Sequence, residues 1–187
     1  MHFRTARPSA PASEGAHSRP DAAGLGAELA AVVAGARRRA VRDGDRHVDT
    51  AHLLHSLLEQ DPEARSVVGG PPQLARLLGY LVQRSIGYGL RWQGSVEDSG
   101  ALPVLPRPAT GEAGDWSPAA AAALTHARER ARRRGEHGAT GPDLLAALVA
   151  DPACRAVEVL EHAGVHTREL AARIAADVGE CVQDASC

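Results

Sequence analysis

The feature of this sequence that most constrains its fold is an internal repeat with an offset of 91 residues. Residues 25–58 align with residues 116–149 without a gap, and 11 of the 34 aligned pairs are identical. Self-similarity at a fixed offset indicates that one supersecondary unit occurs twice in the chain. We therefore predict two related copies of one unit.

Both copies have the apolar spacing of amphipathic helices. In the first helix of each copy, apolar residues recur three and four positions apart. These residues are Leu29, Val32, Val33, Ala36 and Ala40 in the first copy and Ala120, Ala123, Leu124, Ala127 and Ala131 in the second. Gly44 and Gly135 follow, and glycine is the residue that best adopts a left-handed C-cap. A second helix with paired leucines comes next, around Leu53 and Leu144.

Capping residues mark the start of this second helix in both copies. Asp49 or Thr50 can cap it in the first copy, and Thr140 with Asp143 forms a capping-box-like start in the second. Two further helices complete each copy. They are predicted at residues 153–162 and 168–178 in the second copy, and in the first as a short helix ending at Gly69 and a helix over 71–86. The sequence therefore predicts an all-α, eight-helix bundle.

The boundaries of the copies follow from composition. Residues 1–23 are rich in Pro, Ser, Ala and Gly and are predicted to be a disordered tail. Residues 24–86 and 116–178 form the two repeats, and residues 179–187 form a polar tail. The segment 87–115 contains repeated Gly and Pro and is interpreted as a linker between two units.

The composition excludes several function classes. All 21 basic residues are arginine, so a P-loop, a Schiff base and a Ser–Lys dyad cannot be built. The formal net charge is −2, which argues against a nucleic-acid binder driven by overall charge. Hydrophobic residues make up 44% of the chain but aromatic residues only 3%, which suits closely packed helices of small aliphatic residues.

Cysteine and histidine give no pattern of a catalytic or metal site. Cys154 is expected to be a small buried residue, and Cys181 and Cys187 to be thiols of the polar tail. No Cys-x-x-Cys or His-Glu-x-x-His occurs, so we predict no metal and no cofactor. The chain shows no secretory signal and no apolar stretch long enough to span a bilayer, and we expect a cytoplasmic protein.

The order of these segments resembles the N-terminal repeat of the Clp unfoldases. The resemblance lies in the run from Gly44 to Leu54 (GDRHVDTAHLL), in the opening Trp116-Ser117-Pro118 and in the segment 156–165, and it covers residues 25–178. It implies a pseudo-twofold domain of two four-helix repeats that is not an enzyme. It also implies protein or peptide partners, such as a Clp ATPase, its adaptors or its substrates, for a standalone form without the ATPase.

One departure from the family pattern concerns phosphoarginine. Some members bind it with a Glu immediately before the His of each repeat's Thr-Glu-His-Leu-Leu run. The matching positions here are Ala51 and Pro142, and Asp143 stands where the second His would be. We therefore expect no phosphoarginine binding by that route.

Five residues are candidates for protein or peptide binding. Tyr88 and Trp92 are aromatic residues at the linker, which either pack it onto the bundle or line a groove between the copies. Arg37 and Arg128 belong to arginine clusters on the first helix of each copy, and His52 lies in the matched run. The clusters are interpreted as solvated helix faces or as sites for an acidic partner. Our alternative function is a helical regulator that binds nucleic acid through these faces.

Overall fold

The structure, a computed structural model, describes residues 23–85, 95–98 and 116–184. Within these residues the chain forms eight α-helices and no β-strand, which confirms the predicted fold class. The helices of the first copy are α1 (Ala27–Asp43), α2 (Thr50–Gln60), α3 (Pro62–Val68) and α4 (Pro71–Gln83). Those of the second are α5 (Pro118–Arg133), α6 (Gly141–Val149), α7 (Arg155–His162) and α8 (Thr167–Asp184).

The predicted helix ends agree with the structure at α1 and α5, whereas α4 ends at Gln83 and not at residue 86, and α7 begins at Arg155 and not at residue 153. Gly44 and Gly135 follow α1 and α5 with φ values of 75° and 78°, as expected for left-handed caps. Asp49, rather than Thr50, is the N-cap of α2. Helix α8 continues to Asp184 because no proline interrupts it, so Cys181 lies in a helix and not in the predicted polar tail.

The two copies contact each other through a pair of equivalent backbone bridges. Val48 pairs with Trp116, and Leu25 pairs with Ala139. Each residue of the first bridge is related by the offset of 91 to a residue of the second, so the bridges are related by the pseudo-twofold axis. The amide of Ser117 donates to the carbonyl of Val48 over 2.9 Å, and the amide of Gly26 donates to the carbonyl of Ala139 over the same distance.

The third helices lie at the boundary between the copies, and each packs on helices of both copies. Helix α7 of the second copy packs on α2 of the first, and α3 of the first copy packs on α6 of the second. One hydrophobic core cluster consequently contains leucines from both copies, among them Leu53, Leu54, Leu144 and Leu145. The copies are therefore two halves of one packed body and are not independently packed units joined by a linker.

A glycine at the second bridge is required by close backbone contact. A Cβ at Gly138 would lie 2.7 Å from the Gly26 nitrogen and 2.9 Å from the Leu25 carbonyl carbon. We expect Gly138→Ala to lower the free energy of unfolding by about 2 kcal/mol, because backbone cannot move aside as a side chain can. Urea denaturation measures this effect. The control is Gly79→Ala on the exposed side of α4, where a Cβ has open space, and it is expected to be neutral or stabilising. Equal stability of the two variants would contradict the prediction.

Candidate interaction site

The turn between α1 and α2, residues 44–49, separates two surface grooves. The first, called the α1 groove, has a volume of about 600 Å³ and is lined by Ala34, Arg37, Arg38, Ala40, Val41, Asp45, Arg46 and Val48. The second, called the linker groove, has a volume of about 690 Å³ and is lined by Asp43, Gly44, Asp45, Arg46, His47, Ser95, Val96 and Arg155. Both volumes are typical of ligand-binding clefts.

His52 lies directly beneath the turn. Its side chain is only 1% exposed, with Nδ1 2.7 Å from Asp49 Oδ1 and Nε2 3.2 Å from Asp45 Oδ2. Burial alone lowers the pKa of His52, but the hydrogen bonds to Asp45 and Asp49 outweigh it and raise that pKa. The imidazole thus fixes the turn from inside, and a partner on the surface does not reach it directly.

Asp49 connects this histidine to two arginines from other elements. The Asp49 side chain accepts the His52 amide over 2.9 Å, which caps α2. Its Oδ2 atom accepts from Arg84, at the end of α4, and from Arg155 Nη1 over 2.7 Å. Burial alone raises the pKa of Asp49, but His52, Arg84 and Arg155 together lower it. The carboxylate is therefore ionised at neutral pH and joins α2, α4 and α7.

Glu97 is a buried carboxylate of the linker and is 5% exposed. It accepts from the Thr50 amide over 2.8 Å, the Ser117 hydroxyl over 2.9 Å and the Arg155 amide over 2.6 Å, and also from the Thr50 hydroxyl. Burial and the nearby Asp49 raise the pKa of Glu97 even though these hydrogen bonds lower it. The linker is thus attached where the first turns of α2 and α7 meet.

Arg37 and Arg128, both candidates for binding a partner, each contact residues outside their own copy, and their role in binding stays a prediction. The Arg37 guanidinium carbon lies 4.9 Å from the ring centroid of Trp116 in a cation–π contact. Arg128, which is 91 positions further along, donates from Nε to the Ala23 carbonyl over 2.8 Å. Each arginine therefore reaches the segment that opens the other copy, and Arg37 also lines the α1 groove.

The second copy has an ion pair beneath its turn in which the charges are reversed relative to the first copy. In the first copy Asp43 Oδ2 lies 3.8 Å from His52 Nε2, and these two residues correspond by the offset of 91 to Arg134 and Asp143. Arg134 Nη2 donates to Asp143 Oδ2 over 2.7 Å, and the Thr140 amide donates to the same oxygen over 3.0 Å. Burial raises the pKa of Asp143, but Arg134 outweighs it and the pKa is lowered. An ionised carboxylate therefore supports the turn in both copies.

Further arginines of both clusters pair with acidic side chains of the chain. Arg39 pairs with Glu59, and Arg133 Nη2 lies 3.0 Å from Glu129 Oε1. Arg130 Nε lies 3.6 Å from Asp143 Oδ1. These contacts reduce the positive charge that the two helices offer to a nucleic acid.

The other predicted residues divide into two groups. Tyr88 and Trp92 lie outside the described residues, and their role in binding stays a prediction. Cys154 is buried as expected, and burial raises the pKa of its thiol to about 12, so the thiol is not ionised at neutral pH. Among residues 23–85, 95–98 and 116–176, no group of three or more His, Cys, Asp or Glu residues is arranged to hold a metal. None of the described helices has the length and apolarity needed to cross a membrane.

Sequence reasoning missed Glu97. The residue lies in the linker, where no apolar periodicity places it relative to a helix. A glutamate among polar linker residues gives no signal that it is buried, and only the structure shows the hydrogen-bond donors that surround it.

The fold and the grooves define a class of protein, a helical repeat domain in which two four-helix units share one core. No family model matches the sequence, and a comparison with curated protein sequences finds no match. A solved structure that is similar is the crystal structure of the N-terminal domain of the caseinolytic protease associated chaperone ClpD from Arabidopsis thaliana. The TM-score is 0.58 and the identity 16%, over 83% of this chain and 95% of that one. This chain therefore has the fold of a Clp N-terminal domain, which confirms the resemblance seen in the sequence.

Proposed function

We propose that the protein is a non-catalytic interaction module that binds adaptors, substrates or peptide ligands of a cytoplasmic chaperone or proteolysis pathway. The observation that carries this proposal is the Clp N-terminal domain fold, combined with two clefts of several hundred cubic ångströms beside one rigid turn. Asp49, His52 and Arg155 fix that turn from behind, so the surface is organised before a partner arrives.

Two features of the site bear on which ligand it binds. Ala51 is buried, and neither it nor Pro142 carries a carboxylate, which supports the expectation that phosphoarginine is not bound by the family's route. The ion pairs within the arginine clusters support protein over nucleic acid as the partner. We therefore propose protein or peptide partners, and adaptor, competitor and decoy remain the roles to distinguish.

The test is a pull-down with the full tagged chain from a lysate of the source organism, with and without nuclease. Recovery of a Clp ATPase, its adaptors or its substrates, retained at about 0.2 M salt and after nuclease treatment, is the expected result. The control is Leu54→Asp, which places a charge in the core and should abolish specific recovery. Recovery of nucleic acid that is lost at this salt concentration would reject the proposal in favour of the nucleic-acid regulator.

A further inference from the structure

The α1 groove exposes an aliphatic side chain on its surface. Val41, in the last turn of α1, is 81% exposed. Ala34, which is partly exposed, lines the same groove, whereas Val48 is only 3% exposed, so Val41 supplies most of the apolar surface there. Burial of the Val41 side chain by a partner would remove apolar surface from water, which favours binding.

The charges around Val41 are mainly positive. Arg38 and Arg46 are exposed at the groove, and the Arg37 guanidinium is held over Trp116 beside them. The one acidic residue that lines the groove, Asp45, has a side chain that is 38% exposed, and its Oδ2 atom lies 3.2 Å from His52 Nε2 and 4.0 Å from Arg84 Nη2. The arginines of the groove outnumber this carboxylate, so the groove presents guanidinium groups beside aliphatic surface. Guanidinium pairs carboxylates with two parallel hydrogen bonds.

The second copy provides an internal comparison for this surface. By the offset of 91, Arg38 of the groove corresponds to Glu129 of the second copy, and Val41 corresponds to Arg132. Glu129 pairs with Arg133 at 3.0 Å, and Glu136 occupies the position of Asp45, so that surface has a second carboxylate and lacks the exposed aliphatic side chain. Because the helix and turn are the same in both copies, the basic and apolar character of the α1 groove is not required by the repeat fold. We infer that the α1 groove binds a short partner segment that carries acidic and aliphatic side chains.

This inference rests on the proposed function and names the chemistry of the partner. Carboxylates of the segment pair with Arg38 and Arg46, and an aliphatic side chain packs on Val41. The equivalent surface of the second copy does not bind the same segment, because Glu129 repels it and Arg132 removes the apolar contact. The binding is therefore one segment per chain.

The experiment measures fluorescence anisotropy of the full chain with a labelled octapeptide of alternating Glu and Leu. The variants are Arg38→Glu and Val41→Arg, which introduce the residues of the second copy. The matched controls are Glu129→Asp and Arg132→Glu, which change the equivalent positions without making that surface basic or apolar. We expect each groove variant to weaken binding about tenfold and the controls to leave it unchanged. All four positions lie on helix surfaces, and thermal unfolding of each variant verifies that the fold is kept.

Three outcomes would overturn the inference. The first is equal binding of the Glu and Leu peptide by wild type and groove variants, and the second is equal binding of a peptide of alternating Lys and Leu. The third is binding of the Glu and Leu peptide only after residues 101–108 are replaced by a Gly-Ser segment. The last outcome would assign the groove to the chain's own linker. The same variants in the lysate pull-down distinguish the two proposals: if partners are still recovered, only the placement in the α1 groove fails, whereas a wild-type chain that recovers none rejects the proposed function.

Discussion

Replacing Asp49 with asparagine is expected to lower the free energy of unfolding by about 3 kcal/mol at pH 7, because removing one partner of a buried charge network leaves the others uncompensated. Asparagine can still cap α2, so the cap to the His52 amide is retained. What the variant loses is the negative charge that Arg84, Arg155 and His52 share. Urea denaturation followed by circular dichroism measures the change.

Thr140→Ala is the control for this variant, since Thr140 is the corresponding N-cap of the second copy. Its cost is expected to be about 1 kcal/mol, the usual contribution of a cap. If Asp49→Asn cost no more than Thr140→Ala, Asp49 would be only a helix cap, and its role in joining α2, α4 and α7 would be wrong.

The same network sets the dependence of stability on pH. The pKa of Asp49 is lowered from 3.8 in the folded chain, so its contribution is present above pH 3.8 and is lost as the pH falls towards the folded value. The pKa of His52 is raised from 6.5, so its contribution is complete below pH 6.5 and is lost as the pH rises through the folded value. In Asp49→Asn the loss on the acid side should become smaller, and the pKa of His52, measured by NMR titration, should fall.

Replacing Glu97 with alanine is expected to cost about 3 kcal/mol, since buried donors without an acceptor each cost about 1–3 kcal/mol and water satisfies some of them. The donors are the Thr50 and Arg155 amides and the Thr50 and Ser117 hydroxyls. Glu97→Gln should have an intermediate cost, because its carbonyl oxygen still accepts while its amide faces donors.

Hydrogen exchange locates the effect of this variant. Amides in the first turns of α2 and α7 should exchange faster in Glu97→Ala, whereas those of α5 beyond its first turn should not change. The control is Val96→Ala, because Val96 is the exposed neighbour of Glu97 in the linker and its loss should cost under about 0.5 kcal/mol. Equal exchange in both variants would show that Glu97 does not attach the linker to these helices.

The sequence was sufficient for the secondary structure but not for the contacts between the copies. Apolar spacing, the glycines after α1 and α5 and the capping residues act locally, and local signals can be seen in a sequence. The packing of α3 and α7 across the boundary between the copies and the burial of Glu97 depend on which surfaces meet in space. The reversed ion pair could be predicted in part. Aligning the copies matches Asp43 and His52 with Arg134 and Asp143, but only the structure shows that the two residues of each copy contact each other.

The packing of each third helix on the opposite copy has a consequence for how the two copies can diverge. A chain with a single copy would leave uncovered the surfaces of α2 and α3 that contact α7 and α6, and two such chains could cover them only as a symmetric pair with identical surfaces. Joining the copies covalently keeps this pairing at a high effective concentration and removes the requirement for identity. One copy is then free to present an aliphatic, basic surface at Val41 while its counterpart at Arg132 carries a different one. Gene duplication of this kind turns a symmetric scaffold into one that can recognise a partner from a single side.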